Sequence, residues 1–185
     1  KSAEHKGGDF TTPAPNGKGF VYDGAATRQQ TGDFCKGLKT GDTIELHYVF
    51  STAAVSPGPG LAACTSPAIA NPQLRVEAQV MVLVDDPKAA DFARLTEIGT
   101  RDAYHQALNM PRNTGRPIAY AGSTTGPEFN DKESPLQVWW SVRPRTLKVD
   151  AASVGRWCQA NIFNEDHAHG VRDLVTDPAR LSPIR

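Results

Sequence analysis

The clearest β-strand of the chain is Thr43-Ile44-Glu45-Leu46-His47-Tyr48-Val49-Phe50. Successive side chains of a strand project to opposite faces, so the alternation gives one apolar face, formed by Ile44, Leu46, Tyr48 and Phe50. The other face carries Glu45 and His47. A carboxylate and an imidazole are costly to bury unless they are hydrogen-bonded or bound to a metal. The strand therefore predicts a sheet with one face in the core and candidate site residues on the other.

A second long strand is predicted over residues 73–85. Its apolar stripe consists of Leu74, Val76, Ala78, Val80 and Val82. The opposite stripe carries Glu77 and Gln79. If this strand pairs beside the first, we expect Glu77 and Gln79 to lie against the face that holds Glu45 and His47. A solvated strand face is the alternative.

Three further regions complete the predicted fold. Residues 136–149 alternate as a strand with an interruption near Pro144, which indicates an edge or a bulge. Helical patterns are predicted over 86–98 and again from Asp150, and residues 1–18 have the Gly and Pro spacing of an irregular arm. Because composition does not shift along the chain, residues 1–185 are predicted to form a single domain. The fold class is α+β, mainly β, with long antiparallel strands and two or three short helices.

The charge balance bears on possible partners. The chain has 20 basic and 20 acidic side chains, so its net field favours neither nucleic acid nor an anionic membrane. Hydrophobic residues make up 39% of the chain, and no apolar run approaches the ~18 residues needed for a membrane span. A small neutral substrate is compatible with this composition.

The three cysteines and the first residue bear on the compartment. Cys35 precedes the first long strand and Cys158 lies in the late helix, so we expect a long-range disulfide between them, with Cys64 as the odd thiol. Three reduced, buried cysteines are the alternative. Because the chain begins at Lys1 rather than Met, we expect a processed or trimmed chain whose targeting segment is already missing. We therefore expect a periplasmic or secreted protein.

Two histidines one residue apart lie in the stretch Asn164-Glu165-Asp166-His167-Ala168-His169-Gly170. In an extended backbone their imidazoles project from the same face, and His47 offers a third. Three neutral imidazoles and one open position form the ligand set of hydrolytic or hydrating zinc enzymes. The carboxylates of Glu45, Glu165 and Asp166 are candidates to accept the other ring N–H groups. Surface histidines beside solvated loop carboxylates are the alternative.

Several ordered blocks of the chain lie between about Cys35 and Val175. They include Gly41-Asp42-Thr43-Ile44-Glu45-Leu46-His47-Tyr48-Val49, Asn71-Pro72-Gln73-Leu74-Arg75-Val76-Glu77-Ala78-Gln79-Val80, Gly122-Ser123-Thr124-Thr125-Gly126, Gln137-Val138-Trp139-Trp140-Ser141-Val142-Arg143-Pro144 and Glu165-Asp166-His167-Ala168-His169-Gly170-Val171-Arg172. Together these blocks resemble the delta-class carbonic anhydrases of diatoms and other algae and their bacterial relatives. Several long ordered matches are more specific than a single H-x-H pair.

The resemblance implies an enzyme that hydrates carbon dioxide reversibly to bicarbonate and a proton. It implies a Zn²⁺ cofactor held by His47, His167 and His169, with zinc-bound hydroxide as the attacking group. The substrate is then a small molecule, carbon dioxide or bicarbonate.

Four other residues are candidates for supporting this chemistry. Carboxylates that would orient the ligands are Glu45, Glu77 and Glu165. Thr124 is a candidate for orienting the hydroxide, with a simple turn as the alternative.

Two other functions remain open from the residues alone. A zinc hydrolase acting on esters or phosphates would use the same attacking group, although no dedicated oxyanion or phosphate cradle such as a P-loop is visible. An extracytoplasmic zinc-binding structural module would have four protein ligands, with Glu45 or Asp166 completing the set. An exchangeable water on the ion favours catalysis, whereas a fourth side chain favours a structural role.

Overall fold

The computed structural model describes residues 12–13, 20–21, 35–122 and 136–168. Within them the strands are β1 (Thr12–Pro13), β2 (Phe20–Val21), β3 (Thr43–Ser51), β4 (Leu74–Val84), β5 (Ile98–Arg101), β6 (Tyr104–Ala107), β7 (Ile118–Gly122) and β8 (Val138–Asp150). A 3-10 helix spans Leu61–Cys64, and the α-helices are α1 (Phe92–Leu95) and α2 (Ala151–Gln159). This content confirms the predicted α+β, mainly β fold class. The arm predicted over 1–18 lies outside the described residues, apart from β1.

The central sheet has four strands in the order β3-β4-β8-β7. The pairs β3–β4 and β7–β8 are antiparallel, in line with the antiparallel strands of the predicted fold class, whereas β4 and β8 run parallel. Parallel neighbours need a long crossover connection. The chain between them provides it, because it contains α1, the β5–β6 hairpin and β7. The sheet is therefore mixed rather than wholly antiparallel.

The central strand β4 contributes to a core cluster on each face of the sheet. On the helix face, Met81 and Leu83 pack in one cluster with residues of both helices, Phe92, Val154 and Cys158. On the opposite face, a second cluster contains Leu74, Val76, Ala78, Val138 and Trp140. Burying a large apolar side chain stabilises a fold by roughly 1.5–3 kcal/mol. The two-sided burial of β4 therefore anchors the domain.

The alternation predicted for β3 is confirmed. Tyr48 pairs with Glu77 on the helix face, whereas His47 pairs with Ala78 on the opposite face. Tyr48 is buried, donates its hydroxyl hydrogen to Leu95 O at 3.1 Å, and has its pKa raised by burial. The polar residues of β3 are left on the opposite face, where the candidate site lies.

The interruption predicted near the proline of β8 is a β-bulge. Residues 144–146 lie opposite Val80 of β4, where the register shifts, and a bulge is where a central strand tolerates a residue without an N–H. The side chain of Gln79, only 1% exposed, donates to Val80 O at 2.7 Å and to Arg145 O at 2.9 Å. Thr114 donates its hydroxyl hydrogen to Gln79 Oε1. This buried amide therefore satisfies backbone groups at the bulge.

Of the two predicted start signals of the late helix, Asp150 and Ser153, the structure uses Asp150 as the N-cap of α2. The Asp150 carboxylate accepts hydrogen bonds from the N–H groups of Ala152 at 3.3 Å and Ser153 at 3.1 Å. The hydroxyl of Ser153 accepts from Phe92 N at 2.8 Å. The start of α2 is thereby tied to the start of α1.

The helix predicted over 86–98 is only one turn long. Its cap is Asp91, whose carboxylate accepts the N–H of Arg94 at 3.0 Å. The chain then enters the β5–β6 hairpin, whose turn residues Asp102 and Ala103 have positive φ, as two-residue hairpin turns require. The hairpin begins at Ile98, the last residue of the region that the sequence pattern assigned to a helix.

The predicted disulfide joins Cys35 to Cys158, with Cα atoms 5.3 Å apart. It lies in the helix-face cluster and ties the segment before β3 to α2. Cys64 is a half-buried free thiol whose pKa is raised by burial. Across the described ranges, no helix has the length and apolarity needed to cross a membrane.

Replacing both Cys35 and Cys158 by Ala is expected to lower the free energy of unfolding by about 4 kcal/mol, because a bridge across a long loop restricts the unfolded chain. Urea unfolding under non-reducing conditions measures the change. Cys64→Ala is the control and should shift the midpoint far less. A double variant that unfolds at the wild-type urea concentration would contradict this role of the bridge.

Gln79→Leu is expected to lower the free energy of unfolding by about 2 kcal/mol or more, because two carbonyls and a hydroxyl lose their partner at the bulge. Thermal unfolding followed by circular dichroism measures the loss. Gln137→Leu, at an exposed position just before β8, is the matched control. Equal stability of the two variants would refute the structural role of Gln79.

Candidate functional site

His47 and Glu45 form a pair on the face of the central sheet that is opposite the helices. Their side chains are 40% and 38% exposed, and His47 Nε2 lies 3.0 Å from Glu45 Oε2. Strand alternation creates the pair, because residues two positions apart project from the same face. A neutral imidazole that donates through Nε2 presents the lone pair of Nδ1 to another partner. The pair therefore keeps one ring nitrogen of His47 in a form that can bind a metal.

Two aromatic rings share this face with His47. The ring of Trp140, on β8, meets His47 edge to face, with centroids 5.0 Å apart and planes at 82°. Tyr120, on β7, stacks against Trp140 with centroids 6.2 Å apart and planes at 7°. Burial raises the pKa of Tyr120, and the negative charge of Glu45 adds to the rise. Neither ring was predicted to be part of the site, because the order of the strands in the sheet does not follow from any local sequence pattern.

Glu77 lies on the helix face, so the expectation that Glu77 and Gln79 line the face of His47 is wrong. The register pairs Glu77 with Tyr48, whose side chain enters the core. Side chains of neighbouring strands share a face only where the register puts them opposite each other. Glu77 accepts a hydrogen bond from Arg75, and its Oε2 atom is buried with no hydrogen-bond partner among the described residues.

His167 follows α2 in a segment that is held against Lys36. The N–H of Lys36 donates to Asp166 O at 2.9 Å, and its ammonium group donates to the Asp166 carboxylate. The other carboxylate oxygen of Asp166 lies 2.6 Å from His167 Nδ1. The hydrogen bond from Lys36, followed by that from His167, lowers the pKa of Asp166 to about 2. Asp166 is therefore ionised at neutral pH and can hold the Nδ1 proton of His167.

Glu165 is positioned through its backbone. The side-chain amide of Asn161 donates to Glu165 O at 2.7 Å, and Asn161 Oδ1 accepts from Glu165 N at 3.1 Å. Between them Asn164 adopts a φ of 56°, a left-handed conformation that asparagine tolerates. These bonds shape the turn that leads to His167, and the role of the Glu165 side chain stays a prediction.

Two of the predicted site residues, His169 and Thr124, lie outside the described part of the chain. Inside it, no three or more His, Cys, Asp or Glu side chains form a group that could hold a metal ion. The donor chemistry that is described does fit a metal. Each of two predicted ligands, His47 and His167, is bonded to a carboxylate through one ring nitrogen, the arrangement that fixes the tautomer of metal-ligating histidines.

The fold and these contacts define a mainly β, α+β domain with carboxylate-bound histidines on two separate segments. The family model described as Delta carbonic anhydrase matches residues 1–153, and the chain belongs to that family. Membership supports carbonic anhydrase activity, a small-molecule substrate and the metal ion that such enzymes usually bind. The matched range contains His47 but ends before His167 and His169. No curated protein and no solved structure matches the chain.

Glu45→Ala is expected to release His47 from the tautomer that is protonated at Nε2, because the carboxylate that accepts this proton is gone. Nitrogen–proton correlation spectra of the imidazole ring in the metal-free protein report the ratio of the two tautomers. Glu77→Ala, on the helix face, is the matched control and should leave the His47 signals in place. An unchanged tautomer ratio in Glu45→Ala would speak against the pair.

Proposed function

We propose that the protein catalyses the reversible hydration of carbon dioxide to bicarbonate and a proton, with Zn²⁺ bound by His47, His167 and His169. The observation that carries the proposal is the His47–Glu45 pair in a chain of the delta carbonic anhydrase family. When bound, the ion supplies the Lewis acidity that lowers the pKa of a coordinated water to about 7.

Two carboxylates fix the tautomers through which two of the proposed ligands can bind a metal. Glu45 Oε2 holds Nε2 of His47, and Asp166 Oδ1 holds Nδ1 of His167. The second nitrogen of each neutral ring then carries a lone pair. Carboxylates in this position also raise the basicity of the ligand nitrogen. Both acidic side chains therefore support binding of the ion without touching the substrate.

The surface around His47 suits a small apolar substrate. Val49 projects from the same side of β3, and the exposed ring of Tyr120, which is stacked on the buried Trp140, adds aromatic surface. Carbon dioxide has no net charge and no hydrogen-bond donor, so contact with apolar groups costs it little solvation. Bicarbonate is an anion that is better solvated by water. This surface therefore admits the substrate and favours departure of the product.

The disulfide supports a location in an oxidising compartment. Cytosolic thiols are kept reduced, whereas bridges persist in the periplasm and outside the cell. The bridge between Cys35 and Cys158 thus supports the proposal that the protein is periplasmic or secreted.

Stopped-flow measurement of carbon dioxide hydration tests the proposed activity. His47→Ala is expected to abolish both hydration and stoichiometric zinc binding, because one of three protein ligands is removed. His105→Ala is the matched control, since His105 is an exposed histidine on β6, outside the central sheet, and should retain both. Wild-type protein stripped by a chelator gives the baseline rate.

Full hydration activity in His47→Ala would overturn the proposal. One zinc per wild-type chain without hydration would favour a structural zinc module, and ester hydrolysis without hydration would favour a zinc hydrolase.

A further inference from the structure

The rings of His47 and Trp140 meet although their strands are not neighbours. β4 lies between β3 and β8, and adjacent strands are about 4.8 Å apart, so the two outer backbones are separated by roughly twice that distance. The ring centroids are nonetheless only 5.0 Å apart. Both side chains therefore lean toward each other over the central strand.

A small residue of β4 makes this contact possible. Ala78 is the register partner of His47 and is only 1% exposed. Its methyl group lies on the same face, between the strand that carries His47 and the strand that carries Trp140. Trp140 itself pairs with Val76, the next residue of β4 on this face, so the two rings approach each other diagonally beside Ala78. Because protein interiors have little spare volume, a branched side chain at this position would occupy the space over which the rings meet.

Trp140 is the more firmly held of the two rings. It is 8% exposed, belongs to the core cluster of the opposite face, and has Tyr120 stacked against it. His47 and its partner Glu45 are far more exposed. Water competes for both groups of such an exposed pair, so the pair alone fixes its geometry weakly. The orientation of the His47 ring therefore depends on Trp140 as well as on Glu45.

We propose that Trp140 is a positioning residue for His47. Its buried ring contacts the imidazole edge to face above β4, next to Ala78, and this contact limits the orientations that the imidazole can adopt. Glu45 selects the tautomer of His47, and Trp140 selects the orientation of its ring. Together they fix the direction in which the Nδ1 lone pair of His47 points. The proposal rests on the proposed function for the bound ion, whereas the ring contact does not depend on an ion.

Trp140→Leu and Trp140→Phe separate the effect of the ring from the effect of core volume. In the metal-free protein, Trp140→Leu is expected to average the three-bond couplings that report the χ1 rotamer of His47, because several staggered wells become accessible. It should also weaken Zn²⁺ binding about 10-fold or more, measured by competition with a chromophoric chelator. Trp140→Phe keeps an aromatic ring and should restore a single rotamer and most of the affinity.

Val138→Ala is the matched control, because it removes volume from the same core cluster and leaves the indole in place. Its His47 rotamer and zinc affinity should equal those of the wild type. A Trp140→Leu protein that matches Val138→Ala in both measurements would overturn the proposal.

Ala78→Val provides a second variant if Trp140→Leu does not fold. The added methyl groups should separate the rings, so this variant is also expected to lose the single His47 rotamer and part of its zinc affinity. An unchanged His47 rotamer and zinc affinity in folded Ala78→Val would equally overturn the proposal. A wild-type protein that binds no Zn²⁺ would remove the proposed function, whereas the couplings of His47 in the metal-free protein would still decide the role of Trp140.

Discussion

The register between β3 and β4 pairs His47 with Ala78 and Tyr48 with Glu77. A slip of one residue would exchange the two faces of β3, turning the His47 imidazole toward the helix-face cluster and the Tyr48 ring toward the opposite face. Burial of an imidazole without a partner costs free energy, as does loss of apolar burial. The packing of Leu46 and Tyr48 on the helix face therefore sets the register. That register in turn determines which residues of β4 lie beside His47 in the candidate site.

A second constraint attaches the segment of His167 to the chain that leads into β3. Cys35 is bridged to Cys158 of α2, and the next residue, Lys36, bonds Asp166 through both its N–H and its ammonium group. The bridge at Cys158 and the hydrogen bonds at Asp166 hold the two ends of the segment 158–166. The position of His167 is thus tied to the residues that precede β3 rather than to α2 alone.

Local pattern predicted β3, β4 and the disulfide, because alternation and the placement of cysteines are visible in the sequence itself. It could not predict the parallel pairing of β4 with β8, which depends on a crossover of many residues. The contact of His47 with Trp140 follows from that pairing and was missed for the same reason. Alternation correctly separated Glu77 from the apolar stripe of β4. Only the register with β3 decides whether Glu77 lies on the same face as His47 or on the same face as Tyr48. The fold class was thus accessible from sequence, whereas the neighbours of His47 were not.

The register of β4 explains why His47 takes its carboxylate partner from β3, because the polar stripe of β4 lies on the helix face. On that stripe the amide of Gln79 donates to Val80 O of β4 and to Arg145 O of β8 at the bulge. Glu77 shares that stripe and bonds Arg75 instead of His47. The part of β4 beside His47 on the opposite face is apolar, with the small residue Ala78 between Val76 and Val80. The imidazole consequently has its hydrogen-bond acceptor two residues away on the same strand, in Glu45. Its packing partner is the ring of Trp140 on β8, which lies beyond β4 in the sheet.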